Sequence, residues 1–91
     1  MKQPEKDSIY KSHLDVVTSA KLTMFNDDWH TFDEVILQLV KALRCNTRNA
    51  HMLTSKVHYN GKATIFKGEL EQCLTIVMIL EEIDLTTSIT I

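Results

Sequence analysis

Between Ala20 and Leu43 the apolar period of this chain changes from two to about 3.6, and the change falls at Thr31. In Ala20–Phe25, Ala20, Leu22 and Met24 face one way and Lys21 and Thr23 the other. That alternation is the mark of a half-buried strand. Asn26-Asp27-Asp28 follows, three residue types that favour turns by bonding nearby backbone groups. Thr31-Phe32-Asp33-Glu34 then fits a capping box, with Thr31 accepting from the Glu34 amide and Glu34 reaching back. Asp33 and Glu34 also suit the positive end of a helix dipole. Phe32, Val35, Ile36, Leu39, Val40 and Leu43 form the helical stripe, which should stop near Arg44–Asn46. A strand feeding a capped amphipathic helix through a short polar turn leaves few folds open.

The rest of the chain narrows them further. A second helix is predicted from Asn46 or Thr47, on a weaker stripe of Ala50, Leu53, Thr54 and Val57, closed by His58-Tyr59-Asn60-Gly61 with Gly61 as a left-handed cap. Lys62–Lys67 alternates as a strand, with Ala63 and Ile65 on one face. Gly68–Glu82 is locally ambiguous, because Thr75–Ile79 is rich in β-branched residues. Its length and flanks favour a helix, with Leu70, Cys73, Leu74, Val77 and Met78 on one stripe. Ile76, Ile79 and Ile83 fall on a second stripe, so this helix is either sandwiched or offers one flank as a contact surface. Thr86–Ile91 alternates as a last strand, with Ile89 and Ile91 inward. The expected architecture is a two-layer α+β domain of order βααβαβ, with a three-stranded antiparallel sheet and three helices on one face.

Length and charge exclude several functions. Ninety-one residues make one domain. It buries only about 60% of its unfolded surface, which leaves little room for a large cofactor or a deep cleft. Residues 1–17 are polar and lack an apolar period, and read as a flexible tail before a core domain of residues 18–91. The net charge of −2 argues against nucleic acid as a partner. The longest apolar run, Ile76–Leu80, is far below the ~20 residues that cross a bilayer, and no secretory leader pattern follows Lys2. Cys45 and Cys73 have no metal or redox spacing and read as reduced thiols of a cytoplasmic protein. Met24, Met52 and Met78 read as packing residues. Trp29, between turn residues and a cap, is expected to be exposed.

Asp27, Asp28, His30 and His58 are the polar groups most able to converge, and could in principle bind a metal or move protons. No recognised nucleophile, phosphate-loop or zinc motif accompanies them. His13 and His51 carry no signal of this kind.

Two longer blocks carry a more specific signal. Asn26-Asp27-Asp28-Trp29-His30-Thr31-Phe32-Asp33, with Val57-His58-Tyr59-Asn60-Gly61-Lys62-Ala63 about 30 residues on, resembles the ClpS family. The likeness covers roughly residues 20–91. ClpS proteins are adaptors of the bacterial Clp ATP-dependent protease and are not themselves enzymes. The resemblance implies recognition of N-degrons, substrates with a free amino terminus and a first residue of Leu, Phe, Tyr or Trp. It also implies delivery to an AAA+ unfoldase, ClpA or a ClpC-type relative, with the tail as a delivery element, and it implies no cofactor. By the family's motif positions, Asn26, Asp27 and His58 would accept from the α-ammonium, and Asp28 would add negative potential. Phe32, Val35, Thr54, Val57 and Leu85 would wall the slot for the first side chain. Phe32 stands where many members have Met, and Thr54 where a large apolar residue is usual; the first narrows the slot and the second widens it. A protein-interaction module with the similar βααβαβ arrangement of the ribosomal stalk's C-terminal domain is the competing reading.

Overall fold

The computed structural model describes residues 18–91, so the tail expected over residues 1–17 lies outside the described residues. The chain runs β1 (Ser19–Phe25), α1 (Phe32–Leu43), α2 (Thr47–Asn60), β2 (Lys62–Glu69), α3 (Leu70–Leu80), a 3-10 turn (Glu81–Ile83) and β3 (Thr87–Thr90). The sheet is antiparallel in the order β2-β1-β3, with β1 central. This is the two-layer α+β arrangement that the alternating periods predict.

Ala20, Leu22 and Met24 are all buried on the helix-facing side of β1. β2 is longer than the expected Lys62–Lys67 and carries a bulge. Leu22 pairs with Phe66 but Thr23 with Thr64, so Ile65 is the extra residue. Strict alternation would turn Lys67 inward beside Ala63 and Ile65. The bulge buries Ile65, then resets the phase so that Phe66 and Gly68 lie across from Leu22 and Ala20 while Lys67 stays exposed. A Cβ at Gly68 would sit 2.8 Å from Phe66 Cε2 and 2.9 Å from Gln72 Oε1, so a larger residue there would displace those side chains.

The capping box of α1 forms as its sequence predicts: Glu34 N–H donates to Thr31 Oγ1 at 3.1 Å and Thr31 N–H to Glu34 Oε1 at 3.2 Å. Val35, Ile36, Leu39 and Ala42 are its buried face. Asn46 caps α2, accepting from Asn49 N–H at 2.8 Å, and Gly61 ends it at φ 85°. Ala50, Thr54 and Val57 face the core from α2.

α3 shows which of its apolar residues face the core. Cys73, Ile76 and Leu80 are buried, whereas Leu74 and Met78 are 48% and 69% exposed. A helix apolar on nearly every side can settle in more than one rotation. Here the rotation observed buries Cys73, Ile76 and Leu80, and contacts with α1 go with it. Gln38 donates to the Ile79 carbonyl and to Glu82, and Lys41 pairs with Glu82 at 2.6 Å. The outer flank is therefore Leu74 and Met78, not Ile76, Ile79 and Ile83, which belong to the core or pack against it. The helix also stops at Leu80, before the expected Glu82. Two further expectations fail. Ile91 lies past the end of β3 and is 79% exposed, although Ile89 is half-buried as expected. Of the three methionines, only Met24 packs; Met52 and Met78 face solvent. Both cysteines are free, Cys45 half-buried and Cys73 buried, and burial pushes the Cys73 thiol pKa up.

Candidate functional site

Two backbone hydrogen bonds bring distant segments to one end of the sheet, and a third folds the segment before β3 back on the end of α3. Asn26 N–H donates to the Gly61 carbonyl at 2.8 Å, holding the turn after β1 against the end of α2. Phe25 N–H donates to the Thr86 carbonyl at 3.0 Å, and Leu85 N–H to the Leu80 carbonyl at 3.2 Å. The start of α1, the end of α2 and the segment before β3 therefore meet around residues 25–32.

A pocket of about 270 Å³ opens there. Asn26, Asp27, Asp28 and His58 line it, as do Phe32, Val35, Thr54, Val57 and Leu85. All nine residues singled out in the sequence thus lie around one cavity. It falls just short of the ~300–1,000 Å³ usual for small-molecule sites, a size for one amino-acid residue rather than a large cofactor. The buried Thr54 hydroxyl donates to the Ala50 carbonyl of its own helix at 2.8 Å, so its proton is already committed. The Phe32 ring meets His58 edge-on, centroids 5.3 Å apart, and also approaches His51 at 5.9 Å.

Asp27 organises the turn that lines the pocket. Its Oδ1 accepts from Trp29 N–H at 3.1 Å and from His30 N–H at 2.9 Å, which closes the turn into α1. Its Oδ2 lies 2.6 Å from His30 Nδ1. Burial raises the Asp27 pKa, but the hydrogen bonds from the His30 backbone, the His30 ring and the Trp29 backbone outweigh it and leave the carboxyl below its ordinary value. A carboxylate has about four lone-pair sites, and these three bonds leave one open.

His30 is the residue that sequence reasoning placed least well. It lines the pocket, yet its side chain is only 3% exposed. Its Nε2 lies on the carbonyl of Ile83, 53 residues away. Burial depresses its pKa, but the Asp27 carboxylate, the Ile83 carbonyl and the charges of Asp27 and Glu34 raise it above the ordinary value of 6.5. The Asp27–His30 spacing, with Asp closing a turn onto the His amide, was the available signal; the Ile83 contact had none. Trp29 is 63% exposed as expected, and its ring lies against His30 with centroids 3.7 Å apart. As for metal binding, no three His, Cys, Asp or Glu side chains come together to hold an ion among the described residues.

The fold and cavity define a small α+β domain with a pocket scaled to one residue and lined by both polar and apolar groups. Residues 17–87 match the model of the family described as ATP-dependent Clp protease adaptor protein ClpS, and the chain belongs to that family. A ClpS adapter from Thermosynechococcus vestitus is 33% identical over 69 residues, which cover 75% of this chain and 70% of that protein. The E3 ubiquitin-protein ligase UBR2 of Homo sapiens is 29% identical over 72 residues, covering 76% of this chain but only 4% of the ligase. The chain thus spans a small fraction of those ligases. Among solved structures, Agrobacterium tumefaciens ClpS2 bound to L-phenylalaninamide superposes with a TM-score of 0.73 at 17% identity, covering 79% of this chain and 94% of that one, a likeness of fold. No helix among the described residues is long and apolar enough to cross a membrane.

Proposed function

We propose that this pocket binds the free amino terminus and first side chain of N-degron substrates, without catalysis, and that the protein delivers them in the cytoplasm to a ClpA- or ClpC-type unfoldase. The observation that carries this reading is one residue-sized cavity lined both by acceptor groups and by apolar side chains. An α-ammonium brings three N–H donors and a positive charge, and leaving water requires acceptors and a compensating charge. Asn26 can offer its side-chain carbonyl, Asp27 its open lone pair and His58 a neutral ring nitrogen, with Asp28 adding negative potential. Each charge-assisted bond contributes about 1.5–3 kcal/mol net. Burying a Leu or Phe side chain against Phe32, Val35, Thr54, Val57 and Leu85 adds about 1.5–3 kcal/mol. The ligand of the Agrobacterium ClpS2 structure, L-phenylalaninamide, combines these two features, a free α-amine and a large apolar side chain.

A peptide series differing only in its first residue tests the reading by fluorescence anisotropy. Leu, Phe, Tyr and Trp peptides are expected to bind. Those starting with Ala or Gly should bind at least about tenfold more weakly, the cost of an unfilled slot. A series that binds equally whatever its first residue rejects the proposal.

A further inference from the structure

The His30 ring stands between two acceptors. Nδ1 faces the Asp27 carboxylate and Nε2 faces the Ile83 carbonyl, and neither oxygen carries a proton to give at neutral pH. Both bonds exist only if both ring nitrogens bear hydrogen, which makes the ring an imidazolium. Its surroundings favour that cation. The Asp27 carboxylate comes from its own turn, Glu34 from α1, and the exposed Trp29 face lies against it. From the 3-10 turn comes a carbonyl, while the neighbouring Glu82 is held by Lys41 and Gln38.

The two acceptors belong to two different segments that line the pocket. Asp27 lines it directly, and Ile83 lies two residues before the wall residue Leu85. We infer that His30 is a positioning residue, a protonated latch that ties the amine-binding carboxylate to the segment carrying Leu85 and so sets how tightly the slot grips the first side chain. This deepens the proposed function and rests on it. A neutral ring keeps one N–H, and the charged carboxylate is the stronger acceptor, so the Ile83 end is the one released. As pH rises through the His30 titration, which lies above the ordinary 6.5, the Leu85 side of the pocket loosens while Asp27 keeps its partner.

The test is a ratio of affinities for two peptides that differ only in a first Leu or Ala, measured by competition from pH about 6 to about 9. Both peptides lose their α-ammonium in the same range, so that loss cancels. The Leu-over-Ala ratio of the wild type should fall by about three- to tenfold across the His30 titration, the weight of one hydrogen bond. His30→Gln, with no titrating ring, should hold the lower ratio at every pH. A ratio constant with pH in the wild type, or an equal slope in His30→Gln, overturns the inference while leaving amino-terminal binding intact. Ring nitrogen chemical shifts of the peptide-free wild type test the latch without a variant. Both nitrogens protonated at the low end, and Nδ1 alone at the high end, support it. A ring with one proton throughout overturns it, even if peptides bind. Failure of every peptide to bind, with the ring behaving as described, rejects the proposed function and with it the latch's part in gripping a side chain, while the His30 bridge itself stands.

Discussion

Asp27→Asn is expected to weaken binding of a Leu-first peptide by about 30-fold or more while leaving the fold nearly as stable as the wild type. The geometry separates the two effects. Asparagine keeps the Oδ1 that accepts from the Trp29 and His30 amides, so the turn into α1 survives. Its amide can donate to His30 Nδ1 once that ring becomes neutral, and Nε2–H can still reach the Ile83 carbonyl. What is lost is the carboxylate charge and the Oδ2 lone pair proposed to face the α-ammonium, together with the His30 positive charge that the carboxylate held. Removing one partner of a desolvated charge pair costs about 2–5 kcal/mol, at 1.4 kcal/mol per tenfold. Asp27→Ala removes the turn's acceptors as well, so it should lower both affinity and melting temperature. Calorimetric titration alongside thermal unfolding reads both. An Asp27→Asn variant that binds as tightly as the wild type removes Asp27's charge from the account.

The second large effect concerns the strand that delivers this turn. Leu22 is fully buried at the centre of the sheet, paired with Phe66 on one side and Ile89 on the other. Leu22→Ala removes three carbons and leaves a cavity between neighbours held by two ladders. The expected loss is about 3 kcal/mol. For a domain of this size that lowers the melting temperature by about 12–24 °C. A peptide that binds only the folded state should return part of the loss, about 2.7 kcal/mol at a hundredfold excess over its dissociation constant. A shift of under about 5 °C would mean that β1 is not the core strand described.

The parts that were legible in the sequence are those with one local solution. β1 alternates cleanly, Thr31 and Glu34 satisfy each other, and Gly61 can end a helix where other residues strain. Those elements carry most of the pocket, which is why two short motifs place its residues together. The parts that were not legible depend on contacts between distant segments. The apolar surface of α3 allows several rotations, and the one observed goes with contacts from Gln38 and Lys41 of α1. The bulge at Ile65 answers a conflict with Lys67 that appears only when β2 is laid against β1. His30 finds its second acceptor 53 residues on, where no spacing rule reaches.

The central claim is that one pocket reads a free amino terminus and the side chain beside it. Resonance mapping of the labelled protein with a Leu-first peptide, free or acetylated at its amino terminus, tests it most directly. The free peptide is expected to shift the resonances of Asn26, Asp27, Phe32, Thr54 and His58, and the acetylated peptide none of them. Equal shifts with both peptides, or shifts centred on Leu74 and Met78 of α3, would contradict it.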